Sequence, residues 1–74
     1  MLTMYTAENC VFCTSAKKLL NSYNIEYLNI ILDTPDKKKD FKEKTGLKTV
    51  PQIYVSSTGY HIGGYEELQE YVKP

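Results

Sequence analysis

Apolar residues recur along this chain in two rhythms, and the switches between them mark the elements. Leu2 to Thr6 is a short run (Leu-Thr-Met-Tyr-Thr) that predicts a buried strand starting almost at the first residue. From Val11 the apolar positions Val11, Phe12, Ala16, Leu19, Leu20 and Tyr23 approach an i, i+3, i+4, i+7 stripe, with Lys17 and Lys18 off it. That spacing predicts an amphipathic helix, with Asn9 as its N-cap and Asn21, Ser22 and Asn24 ending it. Ile25 to Leu32 predicts a second strand. A strand, a helix and a strand within about thirty residues form a βαβ unit, which implies parallel neighbours and a right-handed crossover.

Thr34-Pro35-Asp36 starts a second helix, with Thr34 as N-cap, Pro35 in the first turn and an acid beside it. That helix runs through Lys44 with Phe41 as its single large apolar residue, and Gly46 stops it. Gln52 to Ser56 is a third strand, Ser57-Thr58-Gly59 a hairpin turn, and Tyr60-His61-Ile62 a short fourth strand. Gly63-Gly64 breaks the chain before a closing helix, Tyr65 to Val72, whose apolar positions are Leu68, Tyr71 and Val72. The predicted class is α/β, in the order β-α-β-α-β-β-α. Strands one and two are parallel in a four-stranded mixed sheet, and strands three and four form an antiparallel hairpin. Helices one and three are expected on one face and helix two on the other.

Seventy-four residues make a single domain, 1–74, near the lower size limit for a core that folds without staples. The formal net charge is zero, which offers no general attraction to nucleic acid or to a membrane surface. No apolar run is long enough to span a bilayer. The first residues carry neither a basic region nor a cleavage site, so no signal peptide is expected. Six of the nine lysines fall between Lys37 and Lys48 and there is no arginine; most of them are expected to form a solvated helix face.

The chemistry lies in Cys10-Val11-Phe12-Cys13. Thiols three positions apart at the first turn of a helix meet on one face, which suits a disulfide that opens and closes, or half of a metal site. Zinc needs two more ligands and only His61 is spare, so no metal is expected. The plainer reading is two small core residues, since free cysteine is often buried. Two cysteines cannot build a secreted disulfide framework, and a lone Cys-x-x-Cys fits a working dithiol in a reducing compartment, here the cytoplasm. Cys10, just before the helix, faces unpaired N–H groups and the positive end of the dipole, which favour the nucleophilic thiolate. Cys13, one turn further in, is expected to be more buried and to attack second.

Three segments together resemble the glutaredoxins, small members of the thioredoxin fold. They are Tyr5-Thr6 leading to Cys10-Val11-Phe12-Cys13 with Ala16-Lys17, then Thr49-Val50-Pro51-Gln52, then His61-Ile62-Gly63-Gly64-Tyr65-Glu66-Glu67-Leu68. The resemblance implies a thioredoxin-like fold and a glutathione-dependent thiol-disulfide oxidoreductase with Cys10 and Cys13 as its catalytic pair. It implies a cis-proline at Pro51, with the Val50 backbone free to hydrogen-bond an extended peptide such as glutathione. It also implies that Gly64 and the first turn after it hold the γ-glutamyl end, with Glu66 or Glu67 where the family usually has Asp. Phe12, Lys38, Thr49, Val50, Pro51, Gly64, Tyr65, Glu66 and Glu67 are thus the expected glutathione contacts. Val11 and Phe12 stand where Pro and Tyr are frequent, and Ala7 stands where a Lys is frequent. Lys38, or its neighbour Lys37, then carries the charge for the glycine carboxylate alone. The expected partners are glutathione and disulfide-containing or glutathionylated proteins, ribonucleotide reductase being a client in the family, and the chain is expected to act as a monomer. Two other functions stay open. One is a thioredoxin-like electron donor reduced by a flavoprotein reductase; the other is an iron–sulfur cluster held between two subunits with glutathione as co-ligand. His61 and the seven tyrosines are read as structural.

Overall fold

The computed structural model describes residues 1–73. Strand β1 (Leu2–Thr6) lies inside the sheet, flanked by β2 (Tyr27–Ile31) in parallel and β3 (Gln52–Val55) antiparallel. Helix α1 (Val11–Ser22) makes the crossover from β1 to β2, and α2 (Pro35–Thr45) follows. The hairpin partner β4 (His61–Gly63) and helix α3 (Tyr65–Val72) complete the chain. The sheet order is β2-β1-β3-β4; the four-stranded mixed sheet, its parallel β1–β2 pair and its antiparallel β3–β4 hairpin agree with the sequence expectation.

The period of two in β1 decides which helix packs where. Leu2 and Met4 point to one face, where they meet Ala16 and Leu20 of α1, Ile53 of β3 and Leu68 of α3 in one buried cluster. Tyr5 points to the other face, and its ring stacks on Phe41 of α2 with centroids 4.7 Å apart. Helices α1 and α3 therefore share a face and α2 takes the opposite one. Phe41 suffices to seat a helix that is otherwise polar, because burying one aromatic side chain contributes about 1.5–3 kcal/mol. Thr6 is polar and fully buried, but its hydroxyl donates to Asn29 Oδ1 at 2.8 Å.

Several local expectations shift. Strand β2 is shorter than Ile25–Leu32, and β4 runs His61–Gly63 with a bulge against β3 between Ile53 and Tyr54. Asn9 does not cap α1: it sits in the left-handed region (φ 56°), and Cys10, extended at φ −109°, is the N-cap. An N-cap needs extended backbone, and Asn tolerates the left-handed turn before it better than Cys would. Val11 and Phe12 are not part of the core-facing stripe; they are 77% and 59% exposed. The first turn of α1 lies beyond the cluster that buries Ala16 and Leu20, so Val11 and Phe12 project past it, the Phe12 ring toward that of Tyr65. Thr34 and Gly46 act as expected: the Thr34 hydroxyl accepts the Lys37 N–H at 3.2 Å, and Gly46 takes a left-handed φ of 74°.

Candidate active site

The antiparallel pairing of β1 with β3 puts Tyr5 opposite Gln52. The loop leaving β1 and the loop entering β3 therefore emerge at the same end of the sheet, which sets Cys10 beside Val50. The Cys10 sulfur lies 3.8 Å from the Val50 carbonyl oxygen. Cys10 and Cys13 are paired as a disulfide, with Cα atoms 5.2 Å apart. Cys13 is 2% exposed, whereas Cys10 is half-buried at the helix mouth. The Cys13 N–H donates to Cys10 Sγ at 3.2 Å, so the sulfur takes up one of the orphan donors of the first turn. In the reduced protein that N–H and the helix end favour a thiolate on Cys10 and give Cys13 no comparable help.

The Val50–Pro51 peptide is cis. Among the described residues the Val50 N–H makes no hydrogen bond, which leaves it open to an incoming peptide carbonyl. A cleft of about 300 Å³ opens there, lined by Phe12, Thr49, Val50, Pro51, Gly64, Tyr65, Glu66 and Glu67. The rings of Phe12 and Tyr65, 6.0 Å apart, form one side of it. Eight of the eleven residues singled out from the sequence thus converge in one place, and the Cys10 sulfur reaches it at Val50, while Cys10 and Cys13 themselves line a separate cleft with Glu8, Asn9 and Lys17. Lys38 lies across Val50, in a neighbouring cleft of about 510 Å³ that also includes Thr49. Lys37 is tied instead to Asp33 at 2.9 Å, and its hydrogen bond and charge hold the Asp33 carboxyl below its ordinary range.

At the mouth of α3 the two acids have different tasks. Glu67 Oε1 accepts the Gly64 N–H at 2.8 Å, closing the first turn on itself. Glu66 is exposed, and its carboxylate makes no hydrogen bond among the described residues. The Tyr65 and Glu66 N–H groups, which helical geometry leaves without intrahelical acceptors, point out at the helix end. An anion and a cation can therefore be held together at this turn, the anion by N–H groups and the cation by Glu66.

Gln52 is a site residue that the sequence alone did not single out. It is 6% exposed, and its amide donates to the Thr49 carbonyl at 3.0 Å and to Thr49 Oγ1 at 3.1 Å. Its carbonyl lies 2.7 Å from His61 Nε2, which must therefore carry the proton, and the His61 ring stacks on Tyr54 with centroids 4.7 Å apart. The available signal was a polar residue at the head of an otherwise apolar strand, because a buried polar group is the informative exception. Gln52→Leu should keep the volume but remove both bonds to Thr49, whose exposed acceptors water can take over, at a cost of about 0.5–1.5 kcal/mol. A thermal melt of the oxidised variant should show the loss, and an unchanged melting temperature would mean that the Gln52 bonds do not hold the loop.

Among the described residues no group of three or more His, Cys, Asp or Glu is placed to hold a metal ion, and no helix is long and apolar enough to cross a membrane. A family model described as Glutaredoxin matches residues 2–62. The chain is 35% identical over 69 residues to a glutaredoxin of Neisseria meningitidis, a match covering 90% of this chain and 79% of that protein. Glutaredoxin 1 from Francisella tularensis superposes with a TM-score of 0.80 at 28% identity, covering 93% of this chain and 87% of that one. A buckwheat glutaredoxin, crystallised as a glutathione complex, superposes with a TM-score of 0.77 at 29% identity. That match covers 93% of this chain and 64% of the plant protein, just under two-thirds of its length.

Proposed function

This chain belongs to the glutaredoxin family and is a thiol-disulfide oxidoreductase, and from that premise we propose that glutathione is its reductant and that it reduces both protein disulfides and glutathione mixed disulfides. The observation that carries the proposal is the convergence of an unpaired Val50 N–H, the helix mouth at Tyr65 and Glu66, and the Cys10 sulfur around one cleft. Glutathione is an extended tripeptide with a thiol in the middle and charges at both ends. Its cysteinyl backbone would lie along Val50 in the manner of an added strand. Its γ-glutamyl carboxylate would meet the α3 N–H groups and its ammonium Glu66, while its glycine carboxylate would lie toward Lys38. The Gly64 N–H is already taken by Glu67, so in this chain the free N–H groups one position further on carry that contact.

In the reaction, the Cys10 thiolate attacks a substrate sulfur, forming one S–S bond as the substrate S–S bond breaks and a thiolate leaves. With a glutathionylated protein the attack falls on the glutathione sulfur and the protein thiol is released. Cys10 is then freed by a second glutathione thiolate, which yields glutathione disulfide. With a protein disulfide, Cys13 attacks the Cys10 sulfur and expels the reduced protein. We also propose that the chain works as a monomer in the reducing cytoplasm, where a dithiol stays poised to donate.

A coupled assay with glutathione, glutathione reductase and NADPH should show turnover of a small disulfide. The same protein given thioredoxin reductase and NADPH should show little. The reverse outcome would replace glutathione by a flavoprotein reductase as the electron donor.

A further inference from the structure

The lysines of α2 and the loop after it divide into two groups. Lys37 pairs with Asp33 at 2.9 Å and Lys44 with Asp40 at 3.1 Å, both one turn along the helix. Lys38, Lys39, Lys42 and Lys48 form no salt bridge among the described residues, and all four line the cleft of about 510 Å³ beside Val50. The same cleft is lined by Leu32, Phe41 and Leu47, and it ends at Thr49 and Val50, against the Cys10 sulfur. On the far side of Val50 and Pro51 the cleft residues are acidic, Glu66 and Glu67, with Glu70 beyond them. The clefts on the two sides of Val50 therefore carry opposite charge, lysines lining one and glutamates the other, although α2 itself also carries Asp36, Asp40 and Glu43.

Glutathione, in the pose proposed above, brings one carboxylate to the lysine side. Four unpaired ammonium groups around an apolar floor exceed what one carboxylate needs. We propose that this cleft docks an acidic stretch of a protein substrate, a peptide segment carrying two or more carboxylates and an apolar side chain close to its reducible cysteines. The inference rests on the dithiol reading of the same site and names the kind of protein it reduces. The carboxylates pair with Lys39, Lys42 and Lys48, the apolar side chain covers Leu47 and Phe41, and the substrate disulfide is carried to Cys10. Glu66 and Glu67 repel the same segment from the other side, so docking has one direction. Two electrons then pass from the Cys10/Cys13 dithiol to the peptide disulfide, which leaves the protein disulfide and two peptide thiols.

The test uses the pre-reduced protein, without glutathione, against three peptides that each carry one intramolecular disulfide. Their flanks are Glu-Glu-Leu, Gln-Gln-Leu or Lys-Lys-Leu, and stopped-flow measurement gives the second-order rate. At low ionic strength the acidic peptide should react about tenfold faster than the neutral one, and the basic peptide slower. The preference should largely vanish at 0.5 M salt, where the Debye length is about 4 Å. The triple variant Lys39→Gln, Lys42→Gln, Lys48→Gln should lose the preference and keep its rate with the neutral peptide within about twofold. Equal wild-type rates for acidic and neutral peptides at low salt would overturn the docking proposal alone. So would a preference that survives in the triple variant or in high salt. Failure to reduce any of the peptides would overturn the dithiol reading, and the docking proposal with it.

Discussion

Cys10→Ser should abolish both deglutathionylation and protein-disulfide reduction, whereas Cys13→Ser should keep the first and lose most of the second. The asymmetry follows from position. Cys10 is half-buried at the helix mouth, receives the Cys13 N–H at 3.2 Å and lies 3.8 Å from the Val50 carbonyl oxygen, against which a bound glutathione would run. Cys13 is 2% exposed, so an external disulfide cannot reach it, but the Cys10 sulfur is within its reach. A thiolate is the attacking species in exchange and a serine hydroxyl is not, so removing Cys10 leaves no nucleophile. Removing Cys13 leaves the first attack intact and takes away the intramolecular step that expels a protein product. The measurements are the glutathione-coupled assay for a glutathionylated peptide and single-turnover reduction of a protein disulfide. If Cys13→Ser silences both and Cys10→Ser spares either, the order of attack is reversed.

Gly63→Ala should be among the most destabilising small substitutions in the chain. Gly63 has a φ of 127°, a region that L side chains rarely adopt, and an added Cβ would sit 2.7 Å from Glu67 Cγ and 2.8 Å from Glu67 Cβ. The backbone strain costs about 1–3 kcal/mol and the displaced Glu67 cap about 1 more. For a domain of this size a loss of about 2–4 kcal/mol lowers the melting temperature by on the order of 10–30 °C. Because the clash falls on the residue that closes the α3 mouth, the Michaelis constant for glutathione should also rise. A cycle with Glu67→Gly, which removes both the Cγ and the Cβ that the new methyl would meet, separates the causes. If the clash dominates, the double variant is less destabilised than the sum of the singles. If backbone strain alone acts, the effects add, and a melting temperature unchanged by Gly63→Ala would exclude both.

Much of the fold was legible because its signals are local. The switch from a period of two to one of 3.6 near Cys10 marks a strand and then a helix whatever lies far away in the chain. Thr34, Pro35 and Gly46 fix the ends of α2 through their own backbone preferences. The site was harder to read in three places. Asn9 and Cys10 are adjacent, and cap preference alone favours Asn; the chain needs a left-handed turn there, which Asn fills, leaving Cys10 to cap the helix. Val11 and Phe12 fit an apolar stripe by spacing, but spacing does not say where the partner cluster ends. Glu66 and Glu67 are equivalent as sequence, and only the turn geometry commits Glu67 to the Gly64 N–H and leaves the Glu66 carboxylate without a hydrogen bond among the described residues. The lysine-rich stretch is similar. Its composition suggests a solvated helix face, and pairing with Asp33 and Asp40 accounts for two members while four others gather beside the thiols.

By itself the sequence determined what each segment is: the strand and helix periods, the helix stops, and a thiol pair spaced to close on itself at the start of α1. These depend on neighbours within a turn or two, where steric preference and hydrogen bonding act without knowledge of the fold. The tertiary structure decided what each segment meets. Cys10 and Val50 are 40 residues apart, and they touch because β1 and β3 pair antiparallel with Tyr5 opposite Gln52. That register is set by the face of β1 that must be buried, since a slip of one residue would turn Leu2 and Met4 out of the core and Tyr5 into it. The active site is thus a consequence of packing. The burial of Met4 against Ile53 and Leu20 fixes the strands, and the strands bring Cys10 to the Val50 backbone.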